Sequence, residues 1–270
     1  MERVLKLTIS YDGTAYVGWQ RQAEGVSIQG LLEEALARLD GAPVAVHGAG
    51  RTDAGVHALG QVASARVATM HDPAVIRRAL NAMLPGDVRV LGVEEAPDDF
   101  HARYSALSRT YLYRVVNRRM RPALERSRAC WIRRPLDEAA MHRAAQQLLG
   151  ERDFSSFRAA ECQSSTPMRH LMEAEVVRRG EVVQIRVRAN AFLHHMVRNI
   201  AGSLLLVGGG DRPEAWLAEA LEARDRTRAG PTAPPQGLYF AGVEYPAGFG
   251  LPCAPRGSGR LGAGPSGDPP

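Results

Sequence analysis

Lysine is almost absent from this sequence of 270 residues: Lys6 is the only lysine among 34 basic residues, and the others are arginines. A phosphate-binding P-loop requires the motif GxxxxGK[ST], and a Schiff-base enzyme requires a desolvated lysine. Lys6 lies in a strand-like segment outside any such motif, so neither chemistry is indicated. The arginine bias has two open explanations: GC-rich codon usage, or a polyanionic partner whose phosphates the planar guanidinium binds in bidentate fashion.

Cysteine pairs and long apolar segments are also missing. The three cysteines, at positions 130, 162 and 253, form no CxxC pair, which argues against a disulfide framework and for a reducing compartment. No apolar run approaches the ~18 residues that a membrane span needs. The first ten residues alternate charged and apolar side chains, unlike a signal peptide. We therefore expect a cytoplasmic protein with no membrane partner.

The HExxH and GxSxG motifs of metallo- and serine hydrolases are absent as well. The stretch HGAGRTDAGVHALGQ (47–61) instead places Asp53 two residues from Arg51, among four glycines. Such an aspartate is either a turn residue that bonds its own backbone or an ionised nucleophile or base held by the arginine. His47 and His57 lack a second carboxylate or a cysteine at zinc spacing. We therefore expect no metal at this loop.

A second candidate segment is NAFLHHMVRNIAGSLLLVG (190–208), whose apolar residues recur with helical spacing. The same spacing places His194, His195 and Arg198 on a second face of that helix. Gly202 extends this face and would let another backbone approach it closely. The face is either the wall of a cleft or a solvated surface. The histidines are better suited to orienting their neighbours than to binding metal.

Two tyrosines mark a third candidate segment, SRTYLYRVVN (108–117). Because side chains alternate along a strand, Tyr111 and Tyr113 point to the same side of the sheet. Either both are core aromatics, or one ring is a platform on which a flat base stacks, as in the recognition of single-stranded RNA.

Periodicity and turn signals predict an α+β protein. Strands are predicted over 5–11, 61–67, 88–93, 108–116, 173–179, 181–189 and 238–245, and helices over 28–39, 73–83, 137–149, 192–207 and 213–223. The strands over 173–179 and 181–189 are predicted to form a hairpin. This hairpin and the lack of strict βαβ alternation favour a mainly antiparallel sheet in two similar halves. The Gly/Pro-rich residues 247–270 are predicted to be a disordered tail.

Seven segments resemble the tRNA pseudouridine synthase A family, in the family's order, from about residue 4 to 246. They are YDGTAYVGWQRQ (11–22), GRTDAGVHALGQ (50–61), LPGDV (84–88), DDFHARYSALSRTYLYRV (98–115), DFSSFRA (153–159), NAFLHHMVRNIAGSL (190–204) and GLYFAGVEY (237–245). GRTDAGVHA is highly specific to the family. The resemblance implies two RRM-like, ferredoxin-like halves, residues 1–103 and 104–246, in one extended, mainly antiparallel sheet with helices on one face and a cleft between the halves.

The resemblance also implies an activity. Members isomerise uridine to pseudouridine at positions 38, 39 and 40 of the tRNA anticodon stem-loop, as homodimers and without cofactor or metal. Asp53 matches the nucleophilic aspartate of the family, and Tyr111 matches the tyrosine that contacts the target base. Arg198 matches the arginine that pairs with the catalytic acid and helps to extrude the nucleotide. Arg51 is expected to contact phosphate and to help hold Asp53 ionised.

Two rival functions remain to be distinguished. A non-catalytic RNA-binding or chaperone module would share the fold, but the presence of Asp53, Tyr111 and Arg198 weighs against it. A phosphate-binding hydrolase that uses the glycine-rich loop is disfavoured by the lack of a P-loop lysine and of a metal-binding motif.

Overall fold

The computed structural model describes residues 2–249, which form one sheet of ten strands together with five α-helices. The strands are β1 (Arg3–Tyr11), β2 (Val46–Gly48), β3 (His57–Val67), β4 (Val88–Ala96), β5 (Ser108–Asn117), β6 (Cys130–Ile132), β7 (Gly150–Asp153), β8 (Met168–Arg179), β9 (Val182–Ala189) and β10 (Leu238–Glu244). The helices are α1 (Ile28–Asp40), α2 (Pro73–Met83), α3 (Glu138–Gln146), α4 (Met196–Gly208) and α5 (Trp216–Glu222).

The sheet is mainly antiparallel, which confirms the predicted α+β class. Its strand order is β4-β1-β3-β10-β5-β9-β8-β7, with β2 paired to β3 and β6 paired to β5. Two pairings are parallel, β3 with β10 and β5 with β6. The last strand of the described residues, β10, lies between β3 and β5 and therefore joins the strands that come early in the sequence to those that come late.

The first two helices begin where the sequence predicts them, because each has a capping residue. The Ser27 side chain accepts a hydrogen bond from the Gly30 N–H at the start of α1. The Asp72 carboxylate does the same for the Ala74 N–H, and Pro73 occupies the first turn of α2, where no amide hydrogen is needed. These caps satisfy backbone groups that have no partner within the helix.

Alternate residues of β5 are buried, and this places the candidate tyrosines. Tyr111, Tyr113 and Val115 are buried, whereas Leu112 and Arg114 are partly exposed. Helix α4 contacts β5, and α3 contacts β8 and α4. Among residues 2–249, none of the helices has the length and apolar character that a membrane crossing requires.

Several boundaries differ from the predictions: β3 begins at His57 and not at residue 61, and β8 begins at Met168 and not at residue 173. Helix α4 begins at Met196 and not at residue 192, because His195 before it has a left-handed backbone conformation. Helix α3 ends at Gln146, and Gly150 belongs to β7. Residues 247–249, where the predicted tail begins, form a 3-10 turn in which the Phe249 ring lies 5.4 Å from that of Phe100. The rest of the predicted tail, from residue 250 onward, lies outside the described residues.

Candidate active site

Asp53 lies on the loop between β2 and β3, and hydrogen bonds hold this loop on both sides. The side-chain amide of Gln61, which is fully buried, donates to the Gly50 carbonyl over 2.8 Å. The Trp19 N–H donates to the Thr52 carbonyl over 3.0 Å. Because the backbone that leads into Asp53 is fixed in this way, the position of its carboxylate is set by the fold.

The glycines of this loop serve internal packing. A Cβ atom on Gly50 would lie 2.7 Å from the ring of Phe240 in β10, so any larger residue would push the loop off the sheet. Gly55 has a positive φ of 76°, which permits the turn that follows Asp53. The loop is therefore closely packed against β10.

The Asp53 carboxylate is surrounded by three nitrogen atoms from the first turn of α4 and the two residues before the helix. Arg198 Nη1 lies 2.9 Å from Oδ2, His195 Nε2 lies 3.2 Å from Oδ2, and His194 Nε2 lies 3.4 Å from Oδ1. The Asp53 side chain is 26% exposed, so a ligand can reach it from solvent. Its negative charge is thus placed beside three nitrogen atoms at a position that solvent can reach.

The two histidines reach Asp53 from the turn before α4 and not from the helix itself. His195 has φ 61° and ψ 2°, the left-handed conformation that a non-glycine residue adopts only when its surroundings impose it. Burial lowers the pKa of His195 below its ordinary value, although the Asp53 carboxylate opposes this shift. At neutral pH the imidazole of His195 is therefore mainly neutral.

Arg198, in the first turn of α4, is fixed from its other side by the chain that precedes β10. Its Nε donates to the Ala233 carbonyl over 2.8 Å, and the Ala233 N–H donates back to the Arg198 carbonyl over 3.0 Å. The guanidinium thus binds Ala233 with one nitrogen and Asp53 with another. Segment 230–234 therefore aims Arg198 at the carboxylate.

Gly202 permits this arrangement, because the Pro231 carbonyl passes directly over it. A Cβ atom at position 202 would lie 1.8 Å from the Pro231 oxygen. The sequence-based prediction that Gly202 lets another backbone approach is confirmed.

Replacing Gly202 by alanine is expected to lower the free energy of unfolding by about 1–3 kcal/mol, the usual cost of an overpacked site. Segment 230–234 has to move, and Arg198 then loses its fixed carbonyl partner. Denaturant unfolding measures the effect. Gly92→Ala is the matched control, because there the added Cβ finds its nearest neighbour 3.9 Å away. Equal free energies of unfolding for the two variants would show that segment 230–234 can move without loss of stability.

The Tyr111 ring packs edge-on between two phenylalanines. Its centroid lies 4.9 Å from that of Phe192 and 5.0 Å from that of Phe240. The residue is 8% exposed, and burial, followed by the nearby Tyr11 and Asp53, raises the pKa of its hydroxyl. Tyr111 is therefore a neutral phenol beside the Asp53 site, held in place by its neighbours.

The structure does not bring Arg51 to Asp53. Arg51 is exposed, and within residues 2–249 it makes no ion pair or hydrogen bond. Arg109, which the sequence analysis did not single out, anchors the loop instead: its guanidinium donates to the carbonyls of Ala49 and Asn190. Arg109 thus connects the Asp53 loop to the segment before α4. The sequence signal that could have identified Arg109 was the presence of an arginine within the predicted strand 108–116.

Comparison with known proteins places the chain in a family. Residues 7–105 and 144–246 match the family described as tRNA pseudouridine synthase. Proteins named tRNA pseudouridine synthase A from Salmonella paratyphi B, Salmonella newport and Salmonella heidelberg are each 51% identical to this chain over 253 residues, which cover 94% of both partners. Asp53 and Arg198 fall within the matched ranges, and Tyr111 lies in the segment between them. The chain belongs to the tRNA pseudouridine synthase family.

Proposed function

We propose that this protein is an isomerase that converts uridine to pseudouridine in tRNA. The observation that carries the proposal is the Asp53 carboxylate, accessible to solvent and paired with Arg198 over 2.9 Å, in a chain that belongs to this family. The sites proposed to act are Asp53 as the catalytic residue, with Tyr111, Arg198 and Arg51 as substrate-binding residues.

The chemistry of the isomerisation requires few groups. The N1–C1′ bond of uridine breaks, the uracil turns, and a C5–C1′ bond forms while the C5 proton is lost and N1 gains a proton. The reaction is redox-neutral, so no cofactor enters its balance. Because the base must leave the stack to be reached, the enzyme also needs a pocket for a flipped nucleotide.

Each proposed residue has a task that fits its surroundings. Asp53 supplies the carboxylate that attacks the nucleotide or removes a proton from the sugar. Arg198 holds that carboxylate through Nη1 while its Nε stays on the Ala233 carbonyl. The Tyr111 ring supports the detached uracil. Arg51, whose exposed guanidinium has no partner within residues 2–249, is available for a phosphate.

The finer assignment follows the family resemblance. We infer that the uridines are those at positions 38, 39 and 40 of the anticodon stem-loop, and that the protein acts in the cytoplasm as a homodimer. The alternative of a non-catalytic RNA-binding module is less well supported, because Asp53 is held by three nitrogen atoms that RNA binding alone does not require.

The test is to treat an unmodified tRNA transcript with the purified protein and to map pseudouridine by carbodiimide modification and primer extension. New stops at positions 38–40 are expected. Stops elsewhere in the tRNA would correct the position and keep the activity. Binding of tRNA without any stop would favour the RNA-binding module.

Tyr111 offers a further prediction: Tyr111→Phe is expected to retain far more activity than Tyr111→Leu. The ring contacts with Phe192 and Phe240 survive in the phenylalanine variant, and base stacking, worth ~1–3 kcal/mol, depends on the ring. Single-turnover pseudouridine formation is the measurement.

Tyr113→Phe is the matched control for this comparison, since Tyr113 lies on the same side of β5 and its hydroxyl donates to the Pro234 carbonyl over 2.9 Å. The control is expected to lose about 1 kcal/mol of stability and little activity. If Tyr111→Phe is folded but as inactive as the leucine variant, the hydroxyl takes part in the chemistry.

A further inference from the structure

The groups around Asp53 match a second chemistry that the isomerisation does not use. We propose that Asp53, His194 and His195 form a binding site for a divalent transition-metal ion such as Zn²⁺, and that the bound ion inhibits the enzyme. The inhibition rests on the proposed function, whereas the binding of the ion does not.

The positions of the ligand atoms carry this inference. One ligand atom from each of the three residues lies within 4.8 Å of the other two. The carboxylate oxygens lie 3.2 Å and 3.4 Å from the two imidazole Nε2 atoms. Adjacent ligands of a tetrahedral zinc ion, at bond lengths of ~2.0–2.1 Å, are ~3.3 Å apart. The three side chains therefore need little movement to surround an ion.

The donor set determines which ions fit. Two imidazoles and one carboxylate suit Zn²⁺, Co²⁺, Ni²⁺ and Cu²⁺, and they leave a fourth position for water. Mg²⁺ and Ca²⁺ prefer cages of oxygen atoms, and this site supplies one carboxylate. Selectivity for transition-metal ions over the Mg²⁺ that accompanies tRNA is therefore expected.

The sequence-based expectation of no metal rested on the spacing of His47 and His57 near Asp53, and it assigned His194 and His195 to orienting their neighbours and not to binding metal. His47 stacks on His101, with ring centroids 5.0 Å apart, and His57 is buried. The histidines that reach Asp53 come instead from the segment before α4, at positions 194 and 195.

An ion can enter this site and leave it again. The side chains of His194, His195 and Asp53 are 41%, 27% and 26% exposed. The positive charge of the Arg198 guanidinium repels a metal ion. Because its Nη1 lies 2.9 Å from Asp53 Oδ2, Oδ1 is the oxygen more accessible to the ion. We therefore expect reversible binding, weaker than that of a structural zinc site.

Inhibition is expected because the ion coordinates the Asp53 carboxylate. A coordinated carboxylate has given its lone pair to the metal, so Asp53 is no longer available as nucleophile or base. The ion and its water also stand where the ribose of the flipped nucleotide has to come. Both effects predict loss of turnover in parallel with occupancy of the site.

Calorimetric titration of the full-length protein with Zn²⁺ tests binding directly. Wild type is expected to bind one ion per chain at this site. His194→Gln and His195→Gln should each weaken this binding at least ~10-fold, the lower end of the loss in metal affinity that substitutions around a metal ion cause. His71→Gln, at an exposed histidine after β3, is the matched control and should bind like wild type. Absence of a saturable site, or unchanged affinity in both histidine variants, would overturn the proposal.

A spectroscopic measurement on wild type avoids dependence on variants that fail to fold. Cu²⁺ bound to the protein should show the electron paramagnetic hyperfine pattern of two imidazole nitrogens. A pattern from one nitrogen or none would contradict the site.

Activity is then measured on the same preparations. Zn²⁺ should inhibit wild type and His71→Gln at the concentration that fills the site, EDTA should restore turnover, and millimolar Mg²⁺ should not inhibit. Full turnover at saturating Zn²⁺ would refute the inhibition. If wild type forms no pseudouridine even without Zn²⁺, the proposed function fails, and the titration still decides the metal site.

Discussion

Replacing Asp53 by asparagine is expected to lower single-turnover pseudouridine formation by a factor on the order of 10⁴ or more, the loss seen when a covalent-catalysis residue is removed. Asparagine keeps the size of the side chain, but its amide is neither a nucleophile nor a useful base at neutral pH. The amide oxygen still accepts from Arg198, so the arginine keeps a partner on both sides. Pseudouridine formed per enzyme in a single turnover is the measurement.

The fold and the affinity for tRNA should survive this substitution. The loop is held through the backbone carbonyls of Gly50 and Thr52, which the new side chain does not touch. The melting temperature is expected to change by no more than ~4 °C, corresponding to about 1 kcal/mol. Removal of a negative charge does not weaken attraction to phosphate.

The matched control is Asp211→Asn, which removes a carboxylate paired with Arg134 at an exposed position. It should leave turnover unchanged. Near-normal turnover of Asp53→Asn would exclude Asp53 from the mechanism. Loss of turnover together with a strongly lowered melting temperature would instead support the alternative interpretation, that Asp53 is a structural turn residue.

Arg198→Lys is expected to lower turnover about 100-fold even though the charge is kept. The guanidinium binds the Ala233 carbonyl with Nε and the Asp53 carboxylate with Nη1, and one ammonium at the end of a flexible chain cannot reproduce both contacts in fixed geometry. A carboxylate displaced by about 1 Å costs this much in rate. Single-turnover rates at saturating tRNA separate this effect from weaker binding.

Arg134→Lys is the control for Arg198→Lys, since Arg134 forms an exposed ion pair with Asp211 and lies outside the site. Its turnover should stay within about 2-fold of wild type, in line with surface substitutions. If Arg198→Lys behaves like this control, the fork geometry of the arginine has no role, and its charge alone suffices.

The longer elements were predictable because local chemistry determines them. The start of each of the first two helices is encoded by residues next to it in the sequence. Ser27 caps α1, and Asp72 with Pro73 begins α2. The three-residue strands β2 and β6 and the four-residue β7 were missed, because so short a segment shows no period.

The site was predictable in part. The segments that carry Asp53, Tyr111 and Arg198 were identified, whereas the approach of both histidines to the carboxylate was not. The helical spacing of the apolar residues already includes Phe192 and Leu193, so it conceals the left-handed turn at His195, from which the rings reach Asp53. The backbone beside His195 is held from another segment, since the Ala159 N–H donates to the His194 carbonyl and the His194 N–H donates to Cys162 Sγ, and no local pattern encodes these contacts.

The position of β10 also determines when the site exists during synthesis. Asp53 lies before β3, Tyr111 lies on β5, and the strand that joins β3 to β5 is the last to be made. At ~5–20 residues per second, β10 follows Asp53 from the ribosome by roughly 10–40 s. Until β10 is made, the edge of β3 and, once β5 has been made, the edge of β5 lack this partner and are open to wrong pairing. The enzyme therefore completes its active site only after β10 has been made, and until then a ribosome-bound chain has no complete site for tRNA.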